Sequence, residues 1–178
     1  TDPNKKLLLK KLNIPYYEMK RFDTIQGIQK EIEKIAELVG KKAKGAKIIE
    51  NMNAKLSSLE KFEKRPRVLN YSDTSNLMGS KTLFNDMVEK AGAINLAKSL
   101  GIERWRKVSQ EYLLKLEPDI IIASKEDEPS KNPIWNRKKA VKESRIIKLS
   151  STTLLSTSQY IGDSCVQINK GIKTALKK

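Results

Sequence analysis

VSQEYLLKLEPDIIIAS, residues 108–124, changes its structural period once, at Pro118. Ser109 is a good N-cap, and Glu111 then falls in the first helical turn, where the helix dipole favours a carboxylate. Tyr112, Leu113 and Leu116 follow at helical spacing and are expected to turn inward. Proline disfavours helical backbone in the residue before it, so the helix predicted over 109–117 ends there and DIIIA enters a sheet. An aliphatic run without polar alternation suits a strand covered on both faces, the usual state of a parallel sheet.

The same alternation recurs downstream and upstream of this segment. RVLNYS (67–72) and SRIIKLS (144–150) are read as strands, WNRKKAVKE (135–143) as a short helix, and SQYIGDSCVQINKGIKTALK (158–177) as a closing helix. GSKTLFNDMVEKAG (79–92) is read as a helix capped by Ser80, with Leu83, Phe84, Met87, Val88 and Ala91 inward and Gly92 at its end. Residues 65–178 are therefore predicted to form a Rossmann-like α/β lobe, a parallel sheet flanked by helices.

Residues 24–64 are expected to connect this lobe to another. Thr24 can cap a helix carrying Ile25, Ile28, Ile32, Ile35 and Val39, which Gly40 stops. A second helix is predicted over 42–64, with Ile49, Met52, Leu56, Leu59 and Phe62 on one face. At 1.5 Å per residue it would span about 33 Å, enough to join two lobes rigidly. Residues 1–23, with a short helix, a turn at Asn13 and Pro15 and a short strand through Tyr16, Tyr17 and Met19, are read as a remnant of a second α/β lobe. The start has neither initiator Met nor signal-peptide pattern, so the chain is expected to be the middle of a longer protein.

Composition removes several chemistries. With one cysteine and no histidine, intramolecular disulfides, Cys/His zinc sites and His-dependent catalysis are excluded. Cys165 is expected to be a buried thiol. There is no GxGxxG and no GK[ST] phosphate loop, and EDE at 126–128 is read as a solvated loop. Asp73 is the one isolated carboxylate in a plausible cleft position. The chain is expected not to be an enzyme, to carry no cofactor and to have no metal ligands of its own.

The net charge of +15 points to an anionic partner. It is spread as +6 over residues 1–64 and +9 over 65–178, mostly lysine, and the densest patch, NRKKAVK (136–142), is read as a solvated helix face. No nucleic-acid partner is therefore expected. A basic nucleic-acid-binding α/β module remains the alternative reading, with salt-dependent oligonucleotide binding as its signature.

In an open parallel sheet, ligands bind at the carboxyl ends of the strands. The loops gathered there, 71–80, 124–135 and 150–160, supply Tyr71, Met78, Trp135 and Tyr160, and Trp105 stands just before the opening segment. These side chains are candidate contacts for a large flat or apolar ligand.

EKAGAINLA (89–97), Trp105, VSQEYLLKLEPDIII and AVKESRIIKL follow one another as in a known lobe. The chain resembles, in that order and spacing, the C-terminal lobe of ABC-transporter substrate-binding proteins of the iron-siderophore, cobalamin and haem class. The upstream segment LLKKLNIPYYEM to AKGAKII is similar to the end of that family's N-terminal lobe and its inter-lobe helix. The resemblance implies a periplasmic or lipid-anchored receptor that holds a ligand between two lobes and delivers it to a membrane permease. It implies that Trp105 and the loop from Tyr71 through Ser72, Asp73 and Thr74 to Met78 face the ligand, and that Glu111 docks on the permease. The transported ligand would contain iron or cobalt. A ferric siderophore is the expected one, with cobalamin and haem as alternatives; the missing histidine leaves Met78 or tyrosines as conceivable haem-iron ligands.

Overall fold

The computed structural model describes residues 2–19 and 23–177. Helix α1 (Pro3–Lys11) begins at Asp2, whose carboxylate accepts the Asn4 N–H, and Pro3 occupies the first turn, where a missing donor costs nothing. The strand expected through Tyr16, Tyr17 and Met19 does not form: residues 14–19 are irregular and no described strand pairs with them. Tyr17 instead donates its hydroxyl to Glu31 at 2.9 Å.

Helix α2 (Ile25–Leu38) is capped as expected, with the Thr24 hydroxyl accepting the Gly27 N–H, and Gly40 at φ +65° ends it. Ile25 and Ile28 are buried, whereas Ile35 and Val39 are exposed. Helix α3 (Lys42–Ser57) crosses α2 at Gly45, where a Cβ would come within 2.4 Å of the Ala36 Cβ. It stops short of the predicted residue 64. Asn169 takes both the N–H and the C=O of Glu60, at 3.1 and 2.9 Å, and so draws the chain out of helical geometry.

The lobe that follows alternates as read. Its elements are β1 (Arg67–Asn70), β2 (Asn76–Met78), α4 (Leu83–Lys90), β3 (Ile94–Asn95), α5 (Leu96–Ser99), β4 (Trp105–Lys107), α6 (Gln110–Leu114) and β5 (Ile120–Ser124), then α7 (Lys139–Lys142), β6 (Ile146–Leu149), α8 (Ser151–Leu154) and α9 (Ile161–Ala175). Strands β3, β1, β5 and β6 form one sheet in that order, every pair parallel. Side chains alternate across its faces, and both faces are covered. Val68, Ile120 and Ile122 pack with α4 and α9 residues such as Met87 and Ile168, while Leu69 and Ile121 pack on the other side with Leu113, Leu116 and Trp135. Cys165 on α9 is fully buried, and burial pushes its thiol up to about 12.

Four local readings are corrected. Thr82, not Ser80, caps α4; Ser80 pairs its backbone with Ile102 instead. Tyr112 is exposed on α6, while Leu113 and Leu116 are buried as expected. Lys138, inside the basic patch read as solvated, is 1% exposed and donates to the carbonyls of Leu113, Leu114 and Leu116. Finally, β2 and β4 form a separate antiparallel pair that the loop reading of 71–80 did not include.

Candidate ligand-binding site

Strand order sets where the cleft lies. From β1 the chain crosses to β3 on one side and then returns past β1 to β5 on the other, so the connections diverge above the β1 and β5 carboxyl ends. Two adjoining cavities open there, of about 480 and 180 Å3, sharing Met78, Trp105, Leu154 and Leu155. The smaller sits over the strand ends, with Asn70, Tyr71, Ile122 and Ser124 in its wall. The larger extends past Thr82 and Phe84 towards Met19 and Asp23. Together they form a trough with the size and apolar lining of a small-molecule site.

The β2–β4 pair builds one wall. Met78 and Trp105 are register partners, hence neighbours on one face. Directly beyond them the backbones close up: Gly79 donates to the Arg104 carbonyl at 2.8 Å, and a Cβ on Gly79 would lie 1.8 Å from the Ile102 carbonyl oxygen. Only glycine permits that approach. At the rim, Lys81 pairs with Glu103 at 2.8 Å and Arg104 with Asp23 at 3.4 Å. The Lys81 hydrogen bond and charge hold the Glu103 carboxyl below its ordinary range.

The anticipated residues separate into two groups. Tyr71, Met78 and Trp105 line the trough, Trp105 with 52% of its surface free. Burial pushes the Tyr71 phenol upward, and the charges of Asp127 and Asp73 add to that, against an opposing Asn132 hydrogen bond. Ser72 and Thr74 shape the turn instead: the Ser72 hydroxyl accepts the Asn76 N–H at 3.0 Å and meets the Thr74 hydroxyl at 3.1 Å. Asp73 is exposed and lines neither cavity, and Tyr160, also exposed, stands outside both.

Trp135 requires correction as a ligand contact. It is fully buried, its indole N–H donates to the Ser72 carbonyl at 3.0 Å, and its ring lies 5.0 Å from that of Tyr71 at 56°. It fastens the 124–135 loop beneath the 71–80 loop and presents no surface to the trough.

Glu111 lies on the surface in the first turn of α6, away from both cavities. Its own backbone N–H and the Ser109 hydroxyl lower its pKa. Leu154, Leu155 and Thr157 were missed, although an adjacent Leu pair in the polar run SSTTLLSTS is a signal in itself; Leu155 is exposed and Leu154 partly buried against the core. Among the described residues no group of three or more Asp, Glu, Cys or His side chains is placed to hold a metal ion.

Comparison with known proteins agrees with this architecture. The heme-binding protein RhuT from Roseiflexus sp. RS-1, in apo form, superposes with a TM-score of 0.86 at 20% identity, covering 98% of this chain and 73% of that one. The heme-binding protein BhuT in complex with two hemes gives 0.83 at 16% identity, covering 99% and 72%. The high-affinity heme uptake system protein IsdE of Staphylococcus aureus (strain Newman) is 27% identical over 172 residues, which take in 86% of this chain and 58% of that protein. The chain thus spans less than two thirds of that relative's length. The family model described as periplasmic binding protein matches residues 2–153, so the chain belongs to the periplasmic binding protein family.

Proposed function

We propose that this chain is part of the substrate-binding component of an ABC importer for iron chelates of the haem or siderophore type. Residues 65–178 would be its C-terminal lobe, 24–64 the inter-lobe segment and 1–23 the end of the N-terminal lobe. The observation that carries the reading is the Met78–Trp105 wall at the strand-order switch point, open to solvent and apolar on the scale of a large planar ligand. The relatives are binding proteins rather than enzymes, and Asp73 stands outside the trough.

Three of the similar proteins carry heme in their names, which favours haem over the ferric siderophore expected from the sequence. Met78 and Tyr71 both line the trough, and each has a side-chain atom suited to an iron centre. The nucleic-acid reading draws no support from the comparisons. No helix among the described residues is long and apolar enough to cross a membrane, and an extracytoplasmic receptor meeting the membrane through its permease or a lipid anchor fits the family.

The test is titration of a receptor carrying both lobes with hemin, a ferric hydroxamate and cobalamin, followed by visible absorption and tryptophan emission. A saturable hemin response with a shifted haem spectrum is expected. A response to the hydroxamate or the corrinoid alone would reassign the ligand, and silence across all three would remove the reading.

A further inference from the structure

Among the described residues, strand β2 has a strand partner on one side only. Along an antiparallel strand, successive residues direct their backbone groups alternately towards and away from the partner. Gly79 points its N–H at the Arg104 carbonyl, so Met78 points its own groups the opposite way, towards β1 and β3. Two buried asparagines meet them. Asn70, the last residue of β1, accepts the Met78 N–H at 2.8 Å and donates to the Asn76 carbonyl at 2.9 Å. Asn95, the last residue of β3, donates to the Met78 carbonyl at 2.8 Å and to the Asn85 side-chain oxygen at 3.2 Å, while its own oxygen accepts the Ala97 N–H at 3.1 Å.

A carboxamide carries an acceptor and a donor side by side, as a strand backbone does. Asn70 and Asn95 thus stand in for the strand that β2 lacks on this side, and they grip one residue, Met78, by both of its backbone groups. Neither amide can turn without leaving a buried group unpaired, which is what makes such a grip rigid. Aspartate lacks the donor, and leucine lacks both groups.

We infer that Asn70 and Asn95 are positioning residues of the ligand site: they clamp the Met78 peptide and thereby set the Met78–Trp105 wall against which a flat iron chelate of the porphyrin class is held. The identity of the occupant rests on the function proposed above, whereas the clamp rests on the hydrogen bonds alone. Asn169 supplies the control. It is a buried asparagine that likewise bridges backbone groups, those of Glu60 and Ala91, but it lies outside the trough.

The experiment compares Asn70→Leu, Asn95→Asp and Asn169→Leu by methionine-methyl NMR on this chain and by hemin titration of the receptor carrying both lobes. The chain has only four methionines, so the Met78 methyl can be assigned by substitution. In Asn70→Leu and Asn95→Asp the Met78 methyl should shift or split and the hemin Kd should rise about tenfold. In Asn169→Leu thermal stability should fall comparably, with the Met78 methyl and the Kd unchanged. Should Asn95→Asp fail to fold, Asn95→Ser, which admits a water in place of the amide, is read in the same way. An unmoved Met78 methyl in the Asn70 and Asn95 variants, or an equal loss of affinity in Asn169→Leu, would overturn the clamp. A moved methyl in proteins that all ignore hemin, wild type included, would sink the ligand reading and leave the clamp standing.

Discussion

Trp105 and Trp135 show how one residue type takes opposite roles. Both stand at loop ends and the sequence offers each the same aromatic bulk; what separates them is that Trp135 meets Leu69, Leu113 and Ile121 beneath the sheet, whereas Trp105 sits on a short outlying strand. That difference is made by contacts distant in sequence, so no local pattern carries it. Trp135→Ala should cost about 3–5 kcal/mol in denaturant unfolding, the usual range for emptying a buried aromatic site. Trp105→Ala should change stability by about 0.5 kcal/mol or less and still weaken hemin binding. Glu111 is a different case, since its helix-start position was legible from Ser109 and Pro118 while the docking role that the resemblance implies would concern a partner. Glu111→Lys in the full receptor should leave ligand affinity unchanged and abolish transport, and normal uptake would reduce Glu111 to a helix-start charge.

Short elements were the hardest to read because their ends are set by other parts of the chain. Helix α6 is only five residues long, below the length at which a helix sustains itself, and the buried Lys138 ammonium satisfies carbonyls at its C-terminal end at 2.6–2.8 Å. Burial pulls the Lys138 pKa down, although Glu117 nearby opposes this. Lys138→Met should cost about 1–3 kcal/mol by leaving those carbonyls unpaired, and should raise amide exchange across residues 110–116 more than elsewhere. The β2–β4 pair escaped notice for a related reason. Trp105, Arg106 and Lys107 are all exposed, so β4 has no alternation to find, and the pair depends on Gly79 meeting Ile102. Gly79→Ala should therefore destabilise the lobe and impair ligand binding together, as unfolding and hemin titration would register.

For the molecule as a whole, the aliphatic run at 120–123 revealed the parallel sheet, because a strand covered on both faces leaves little room for polar side chains without buried partners. What holds the amino end of the sheet was less visible. Asp119 accepts the Arg67 backbone N–H at 2.7 Å and its guanidinium at 3.1 and 3.2 Å, tying β1 to the start of β5. Burial pushes the Asp119 carboxyl up, but the Arg67 hydrogen bonds and charge outweigh it, and the net shift is downward from 3.8. The stability contributed by a lowered carboxylate is present above its unfolded pKa and lost as pH falls through the folded one. Urea midpoints measured from about pH 5 downward should accordingly fall less steeply in Asp119→Asn than in the wild type.

The buried thiol of Cys165 has a practical side. As the only cysteine, buried on α9 with its thiol pushed up to about 12, it should stay silent towards maleimides and iodoacetamides in the folded protein. A cysteine introduced at an exposed position such as Tyr160→Cys would then be the sole site to take a dye or spin label. Distances from that label to others across the trough can be followed without first removing a native residue from the core.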